Sequence, residues 1–221
     1  MIDSPRGAMA AMTLSTSPRT LGDSAVRETR RTQIDLPHVA PLNALRGRIA
    51  AGSPTGDGVP YFDPHDGGIN ARILMLAEAP GPAAVGKSGF ISCDNPDATA
   101  ANAWHAYAAA GIPRGDIVRW NAVPWYIGSE GRTKIRAATV RDLRAAEPHL
   151  RQLLTLLPRL RVVVLCGRKA QRMDPAIRQA APHVHIVHAW HPSPVCMNRY
   201  PQRKAEFFAQ IAHAARLAGI E

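Results

Sequence analysis

Cysteine is scarce in this 221-residue chain, with only Cys93, Cys166 and Cys196, which are widely separated and odd in number. They form neither a disulfide framework nor a CxxC pair, so structural zinc and iron–sulfur sites are not expected. No stretch approaches the ~18 consecutive apolar residues that a membrane span needs. The N-terminus also lacks the apolar core of a signal peptide, so the sequence predicts a soluble, cytoplasmic protein that does not bind membranes.

Acidic residues are in deficit, with 17 Asp and Glu against 27 Lys and Arg, which gives a formal net charge of +10. This balance is typical of proteins that bind polyanions, with nucleic acid first and an anionic membrane surface second. The length fits one ordinary globular domain of roughly 100–250 residues. Residues 1–33 mix Ser, Thr, Pro, Gly and Arg without hydrophobic period, so we interpret them as a mobile arm ahead of one α/β domain over residues 34–221.

From residue 71 onward, strand-sized apolar runs alternate with segments of helical period. The runs are Ala71–Ala79, Gly115–Trp125, Arg161–Gly167 and His183–Trp190. Helices are predicted near Ile34–Ala51, Thr99–Ala110, Ala138–Leu157, Lys169–Ala180 and Gln202–Leu217. This alternation predicts a three-layer α/β/α fold around a central, mostly parallel four-stranded sheet. Ligands bind beyond the carboxyl ends of such strands, so the residues that follow each run are the candidates for function.

One of these segments matches a nucleotide-binding pattern. Gly81–Ser88 reads GPAAVGKS, which fits the phosphate-loop pattern G-x-x-x-x-G-K-[ST]. A phosphate loop needs a helix that begins at its Lys-Ser, whereas Gly89 and Asp94–Pro96 disfavour one here. No later strand ends in an Asp that could position magnesium, so we retain a nucleotide hydrolase only as a minor alternative.

Together, the strand-end segments present a carboxylate (Glu78), an amide (Asn121) and an imidazole (His191), with Phe90 as an aromatic surface nearby. A site that recognises and removes a heterocyclic base requires these groups.

The segments also resemble those of the uracil-DNA glycosylase superfamily, in the same order. AEAPG at residues 77–81 is similar to the GEAPG motif of one branch, NAV at 121–123 to the uracil-reading segment, and HPSP at 191–194 to the leucine loop. VVVLCGRKAQ at 162–171 resembles the strand and turn of family-one enzymes. The resemblance implies a monomeric, cofactor-free enzyme that flips deoxyuridine out of single- or double-stranded DNA and hydrolyses its N-glycosidic bond.

Each residue type suits a step of this chemistry. Phe90 supplies a stacking face, and the amide of Asn121 can pair with N3–H and O4 of uracil but not with cytosine. His191 can donate a hydrogen bond to uracil O2, which gains electron density as the bond breaks. Glu78 can hold the attacking water and oppose the positive charge of the sugar, with Asp94 as the alternative carboxylate.

The chain departs from both branches of the family. Ala79 stands where family-one enzymes carry an Asp, and Gly81 stands where they carry a Tyr that excludes the thymine methyl group. The iron–sulfur cluster of the GEAPG branch needs four cysteines, and this chain has only three, so no metal is expected. Because Gly81 replaces the bulky Tyr, we predict a more open pocket and a broader range of excised bases.

The remaining candidates concern DNA. Pro192 and Pro194 stiffen the HPSP loop, and Val195 takes the place of the family's wedge residue. Phosphate contacts are predicted for Lys87, Ser88, Arg168, Lys169, Ser193 and Arg199.

Two further alternatives remain open. One branch of the family traps uracil-containing DNA covalently and carries a basic insert ahead of its reactive His, which HAWHPSP lacks. A metal site at the histidines between residues 183 and 191 is disfavoured because neighbouring side chains on a strand point to opposite faces.

Overall fold

The computed structural model describes residues 15–53 and 56–220. The helices are α1 (Ser24–Arg31), α2 (Ala40–Gly52), α3 (Ala98–Ala109), α4 (Val140–Thr155), α5 (Arg168–Gln171), α6 (Asp174–Ala180), α7 (Pro194–Arg199) and α8 (Pro201–Leu217). The strands are β1 (Tyr61–Phe62), β2 (Ile73–Ala77), β3 (Phe90–Ile91), β4 (Ile117–Asn121), β5 (Val162–Cys166) and β6 (His185–Ala189). Among the helices of these residues, none is long and apolar enough to cross a membrane.

The four longer strands form one parallel sheet in the order β4-β2-β5-β6, and β1 pairs with β3 in a separate parallel ribbon. Each strand of the sheet has five residues. The two inner strands, β2 and β5, are wholly apolar and almost fully buried, which suits a sheet covered on both sides, whereas the outer strands β4 and β6 also carry polar residues. The predicted α/β fold with a central parallel sheet and flanking helices is confirmed.

Alternate residues of β2 face two separate apolar layers. Leu74 and Leu76 join a cluster that includes side chains from α2, α4 and α6. Ile73 and Met75 face the other layer, which contains side chains of α3 and α8. Because both faces of the sheet are covered, only its edges and the loops at its strand ends remain open to a ligand.

Helix boundaries differ from the prediction in two places. The helix predicted over Lys169–Ala180 is broken into α5 and α6, because Pro175 has no N–H to continue the hydrogen-bond ladder. The helix predicted from Ile34 begins only at Ala40.

The N-terminal segment also differs from the expected arm, as far as it lies within the described residues. Residues 1–14 are outside them. Residues 20–31 form a short turn and α1, and the side chains of Leu21 and Arg30 are buried against the domain. The amide of Leu21 donates to the carbonyl of Asp94 at 3.0 Å, so this segment is a packed part of the structure.

Arg30 enters a buried cluster of charged side chains, which we call the Arg114 cluster. Its members are Arg30, Asp63, Asp66, Asp94 and Arg114. Arg114 donates to Asp63 at 2.6 Å, to Asp94 at 2.6 Å and to Asp66 at 3.0 Å, while Arg30 pairs with Asp63 at 2.6 Å. All five side chains are buried, so the ion pairs are shielded from water.

Candidate active site

The predicted functional residues lie along the carboxyl edge of the sheet. Asn121 is the last residue of β4 and stands opposite Ala77 of β2, so Glu78 follows directly beside it. Beyond the strands the two chains stay together, because the amide of Val123 donates to the carbonyl of Glu78 at 2.9 Å. The structure therefore brings Glu78 and Asn121 together where the outer strand β4 meets β2.

Glu78 is half-buried and fixed by the backbone of a distant segment. Its Oε1 accepts a hydrogen bond from the amide of Ala138 at 2.5 Å, just ahead of α4. Oε2 receives no hydrogen bond from any of the described residues. One carboxylate oxygen thus orients the group, while the other is available for a water or a substrate.

Asn121 is 4% exposed, and its Nδ2 has no hydrogen-bond partner among the described residues. A buried amide without a partner costs roughly 1–3 kcal/mol, so native proteins seldom leave one unless a ligand completes it. Asn121 is therefore poised to bind a polar group that enters the site.

The hydrogen bonding of His191 defines its tautomer. Nδ1 accepts from the amide of Ser193 at 3.2 Å, which assigns the proton of the neutral ring to Nε2. Burial lowers the pKa of His191, although the carboxylate of Asp97 acts in the opposite direction. At neutral pH the ring is an uncharged donor through Nε2.

Gly167 lies beside His191 between β5 and α5. Its φ is +85°, and a Cβ added there would lie 3.1 Å from the Cβ of His191. Only glycine combines this backbone conformation with so close an approach.

The HPSP loop is held from below by α3. Asn102 Nδ2 donates to the carbonyl of Pro192 at 2.8 Å, and Pro192 is itself buried. Pro194 opens α7, whose next residue, Val195, is 80% exposed. The loop thus exposes the apolar side chain of Val195 to solvent, while Pro192 is held in place by Asn102.

Among the predicted phosphate contacts, Lys87, Arg168 and Arg199 are exposed, and Ser193 is half-buried at the start of α7. Lys87 lines a groove of about 360 Å³ together with Arg27 of α1. Arg199 lies 5.5 Å from the ring centre of Tyr200.

Three predicted residues do not join the open part of the site. Ser88 is fully buried, and its Oγ bonds with the backbone of Phe90, so it is not available to a phosphate. Asp94 belongs to the Arg114 cluster, where its carboxylate is already paired with Arg114 and Arg30. Phe90 is fully buried, 6.1 Å from the ring centre of Tyr61, so it offers no free stacking face in this conformation.

The residues that depart from the family motifs occupy different surroundings. Ala79 is half-buried against the apolar layer, whereas a Cβ added at Gly81 would meet nothing within 4 Å. Space is therefore present at Gly81 where a bulky residue would narrow the site.

The phosphate-loop segment does not form a phosphate cradle. Ala84–Ser88 is a single wide turn that ends at Gly89, with φ +80°, and the next helix begins only at Ala98. The amides needed to bind nucleotide phosphates therefore do not point from a helix N-terminus here.

Two contributors were missed from the sequence. A hairpin after β4 places Gly128 opposite Ile135, which is 42% exposed, and Tyr126 Oη donates to the carbonyl of Lys134 at 2.7 Å. Lys169, predicted to bind phosphate, instead donates from Nζ to the carbonyl of Ala138 at 2.5 Å. The Lys169 contact does not follow from local sequence pattern, because it joins residues 31 positions apart. The hairpin joins near neighbours, and the polar turn residues between Gly128 and Ile135 are the local signal for it.

Across the described part of the chain, no group of three or more His, Cys, Asp or Glu side chains is arranged to hold a metal ion. No curated protein matches this chain significantly. The family model of the uracil DNA glycosylase superfamily matches residues 64–216, which include the whole four-stranded sheet and all three strand-end motifs. The chain therefore belongs to the uracil DNA glycosylase superfamily, and its function is of the DNA glycosylase type.

Proposed function

We propose that this protein excises uracil from DNA by hydrolysing the N-glycosidic bond, without a cofactor. The observation that carries the proposal is the buried amide of Asn121 beside Glu78 at the carboxyl edge of the sheet, whose Nδ2 has no hydrogen-bond partner in the part of the chain that the structure describes. An amide offers one donor and one acceptor, which match O4 and N3–H of uracil. Cytosine has these two positions reversed and would leave both groups unpaired.

Glu78 and His191 divide the chemistry. As the bond between C1′ and N1 breaks, its electron pair goes to the base, and His191 Nε2–H stabilises the charge on O2. Glu78 opposes the positive charge on the sugar, and its free Oε2 accepts a proton from the water that adds to C1′. The products are free uracil and an abasic site.

The open space at Gly81 supports a wider range of bases than a strict uracil enzyme accepts. Val195 supports wedge-like insertion into the stack that the flipped nucleotide leaves. Exposed Lys87, Arg168 and Arg199 are suited to phosphate contacts, which would make binding weaken steeply with salt.

The test is release of free base from a labelled oligonucleotide with one uracil, followed by alkaline cleavage at the abasic site. We expect uracil release by the wild type and losses of roughly 10²-fold or more for Glu78→Gln, Asn121→Ala and His191→Ala. Arg172→Met is the matched control, because the Arg172 side chain is exposed and forms no hydrogen bond or ion pair with the described residues.

Two results would overturn the proposal. A complex that survives denaturant without free base indicates covalent trapping. Activity that is unchanged in all three site variants indicates that the chemistry occurs elsewhere. A panel of duplexes with other damaged bases tests the predicted tolerance, which strict uracil excision would contradict.

A further inference from the structure

We infer that Lys169 positions Glu78 for catalysis, through the backbone of Ala138, and does not bind DNA phosphate. This inference rests on the proposed function, because it assigns a supporting residue to the same carboxylate. We call Glu78, Ala138 and Lys169 the Ala138 clamp.

The geometry of the clamp is specific. The amide of Ala138 donates to Glu78 Oε1 at 2.5 Å, and Lys169 Nζ donates to the carbonyl of Ala138 at 2.5 Å. Glu78 follows β2 and Lys169 lies in α5 after β5, so the clamp joins two neighbouring strand ends through one residue. Ala138 is buried, which shields both hydrogen bonds from competition by water.

The segment that carries Ala138 needs such an anchor. Before it lies the exposed hairpin around Ile135, and after it Thr139 caps α4 through a reciprocal pair of bonds with Asp142. On the hairpin side, the amide of Arg136 donates to the carbonyl of Ile127 at 2.9 Å, and the guanidinium of Arg136 pairs with Asp142 at 2.6 Å. Without Lys169, these neighbours would stay fixed, but the carbonyl of Ala138 would lose its side-chain donor. Glu78 would then be oriented by a residue next to an exposed loop, and its free oxygen would lose a defined position toward the water.

A phosphate role for Lys169 conflicts with its surroundings. Its side chain is half-buried, and its ammonium donates a hydrogen bond to the backbone carbonyl of Ala138. If Lys169 moved to contact a phosphate, that buried carbonyl would lose its donor. The neighbouring Arg168 is exposed and has no protein partner in the described residues, which is the setting of a phosphate contact. Arg168 is therefore expected to contact DNA phosphate, whereas the adjacent Lys169 is expected to position Glu78.

The experiment compares Lys169→Met with Arg168→Met, and uses Arg172→Met at the exposed end of the same short helix as the control. DNA affinity is measured at several salt concentrations, and base release is measured under single-turnover conditions at saturating enzyme. For Lys169→Met we expect a rate lower by roughly 10- to 100-fold, with affinity and salt slope unchanged, because misplacement of a catalytic group by about 1 Å costs this much. For Arg168→Met we expect weaker binding and a salt slope smaller by about one. The control should match the wild type in both measurements.

A second readout does not depend on activity. In the free protein, the amide ¹H–¹⁵N resonance of Ala138 should move in both Glu78→Gln and Lys169→Met, and stay in place in Arg172→Met. Thermal unfolding of each variant confirms that it is folded.

The outcomes separate the two proposals. If no base is released by the wild type but the Ala138 resonance responds to both substitutions, the proposed function is wrong and the clamp stands. If bases are released and Lys169→Met lowers the salt slope while the rate is unchanged, the clamp is overturned and the proposed function stands. An Ala138 resonance that ignores Lys169→Met also overturns the clamp.

Discussion

Single residues at the strand ends set the geometry of the candidate catalytic groups. Gly167 shows this most directly, because its φ is +85° and a Cβ added there would lie only 3.1 Å from the Cβ of His191. Sequence alone identifies a glycine after a strand, but it does not reveal which side chain the glycine accommodates. In the structure, the side chain that packs against Gly167 is that of His191.

Gly167→Ala is expected to lower base release by roughly 10²-fold, because the new Cβ would displace His191 from its donor position. Gly111→Ala is the matched control: it has a similar φ of +64° with nothing within 4 Å. Both variants should lose stability because of the positive φ, and Gly167→Ala should lose more, since φ +85° with ψ 160° is a conformation essentially restricted to glycine. Single-turnover rates and thermal unfolding measure the two effects, and equal rates in the two variants would contradict the role of Gly167.

His191 makes a second prediction, for pH. Because burial lowers its pKa in the folded state, the unfolded chain takes up a proton near pH 6.5 that the folded protein does not. This contribution to stability is complete above about pH 6.5 and is lost as the pH falls below it. Urea unfolding should therefore weaken more between pH 7 and 5 in the wild type than in His191→Ala. An NMR titration that finds His191 protonated at pH 7 would exclude its role as a neutral donor.

Among the secondary-structure elements, the sequence predicts those strands and helices that carry a periodic apolar pattern. The four strands of the sheet and helices α3, α4 and α8 were predicted within a few residues, because each carries an apolar pattern that its own layer buries. The candidate carboxylate, amide and imidazole were found because parallel strands bring their ends to one edge. The sequence assigns Ser88, Asp94 and Lys169 to DNA contact or catalysis. Ser88 instead bonds to the backbone of Phe90, only two residues on. The partners of Asp94 and Lys169, Arg114 and Ala138, lie 20 and 31 residues away. Such long-range polar pairing leaves no local pattern.

Helix α7 carries the exposed Val195 at its N-terminal end, and the size of this side chain should decide how well duplex DNA is processed. Val195→Ala is expected to slow base release from duplex DNA severalfold while leaving single-stranded DNA unaffected, because only the duplex has a stack to refill. Val195→Leu should improve duplex activity. Leu36→Ala, at an exposed apolar residue outside the site, is the control. Equal losses on both kinds of DNA would refute insertion.

At the scale of the whole molecule, the Arg114 cluster joins the N-terminal segment to the sheet. Three carboxylates face two guanidinium groups there, and the imbalance falls on Asp66. Burial raises the pKa of Asp66 to about 7, and the guanidinium of Arg114 offsets only part of this effect. Burial also acts to raise the pKa of Asp63, but Arg114 and Arg30 outweigh it and hold that pKa well below its usual range.

Two substitutions in the cluster should have unequal effects. Asp63→Asn removes the carboxylate that both arginines share and should cost about 3–5 kcal/mol of unfolding free energy. Asp66→Asn should cost much less, because the wild-type group is partly protonated at neutral pH.

The raised pKa of Asp66 also determines how the unfolding free energy changes with pH. A raised pKa means that the folded protein holds a proton that the unfolded chain releases near pH 3.9, so this stability is lost as the pH rises through about 7. From pH 5 to 8 the wild type should therefore lose on the order of 1–3 kcal/mol relative to Asp66→Asn, by urea unfolding. An Asp66→Asn variant that parallels the wild type across this range would show that Asp66 is ionised throughout.

The Arg114 cluster also fixes how short a piece of this chain can be and still fold. The family match begins at residue 64, yet Arg30 and Asp63 precede that point. A fragment cut there would lose one of the three carboxylates that pair with Arg114 and one of the two guanidinium groups that pair with Asp94. The family match therefore leaves out residues that complete this buried cluster. We expect a fragment for expression, fusion or domain transfer to be more stable when it retains the chain from Ser15 onward than when it begins at residue 64, since Ser15 itself donates to Asp94 at 2.8 Å.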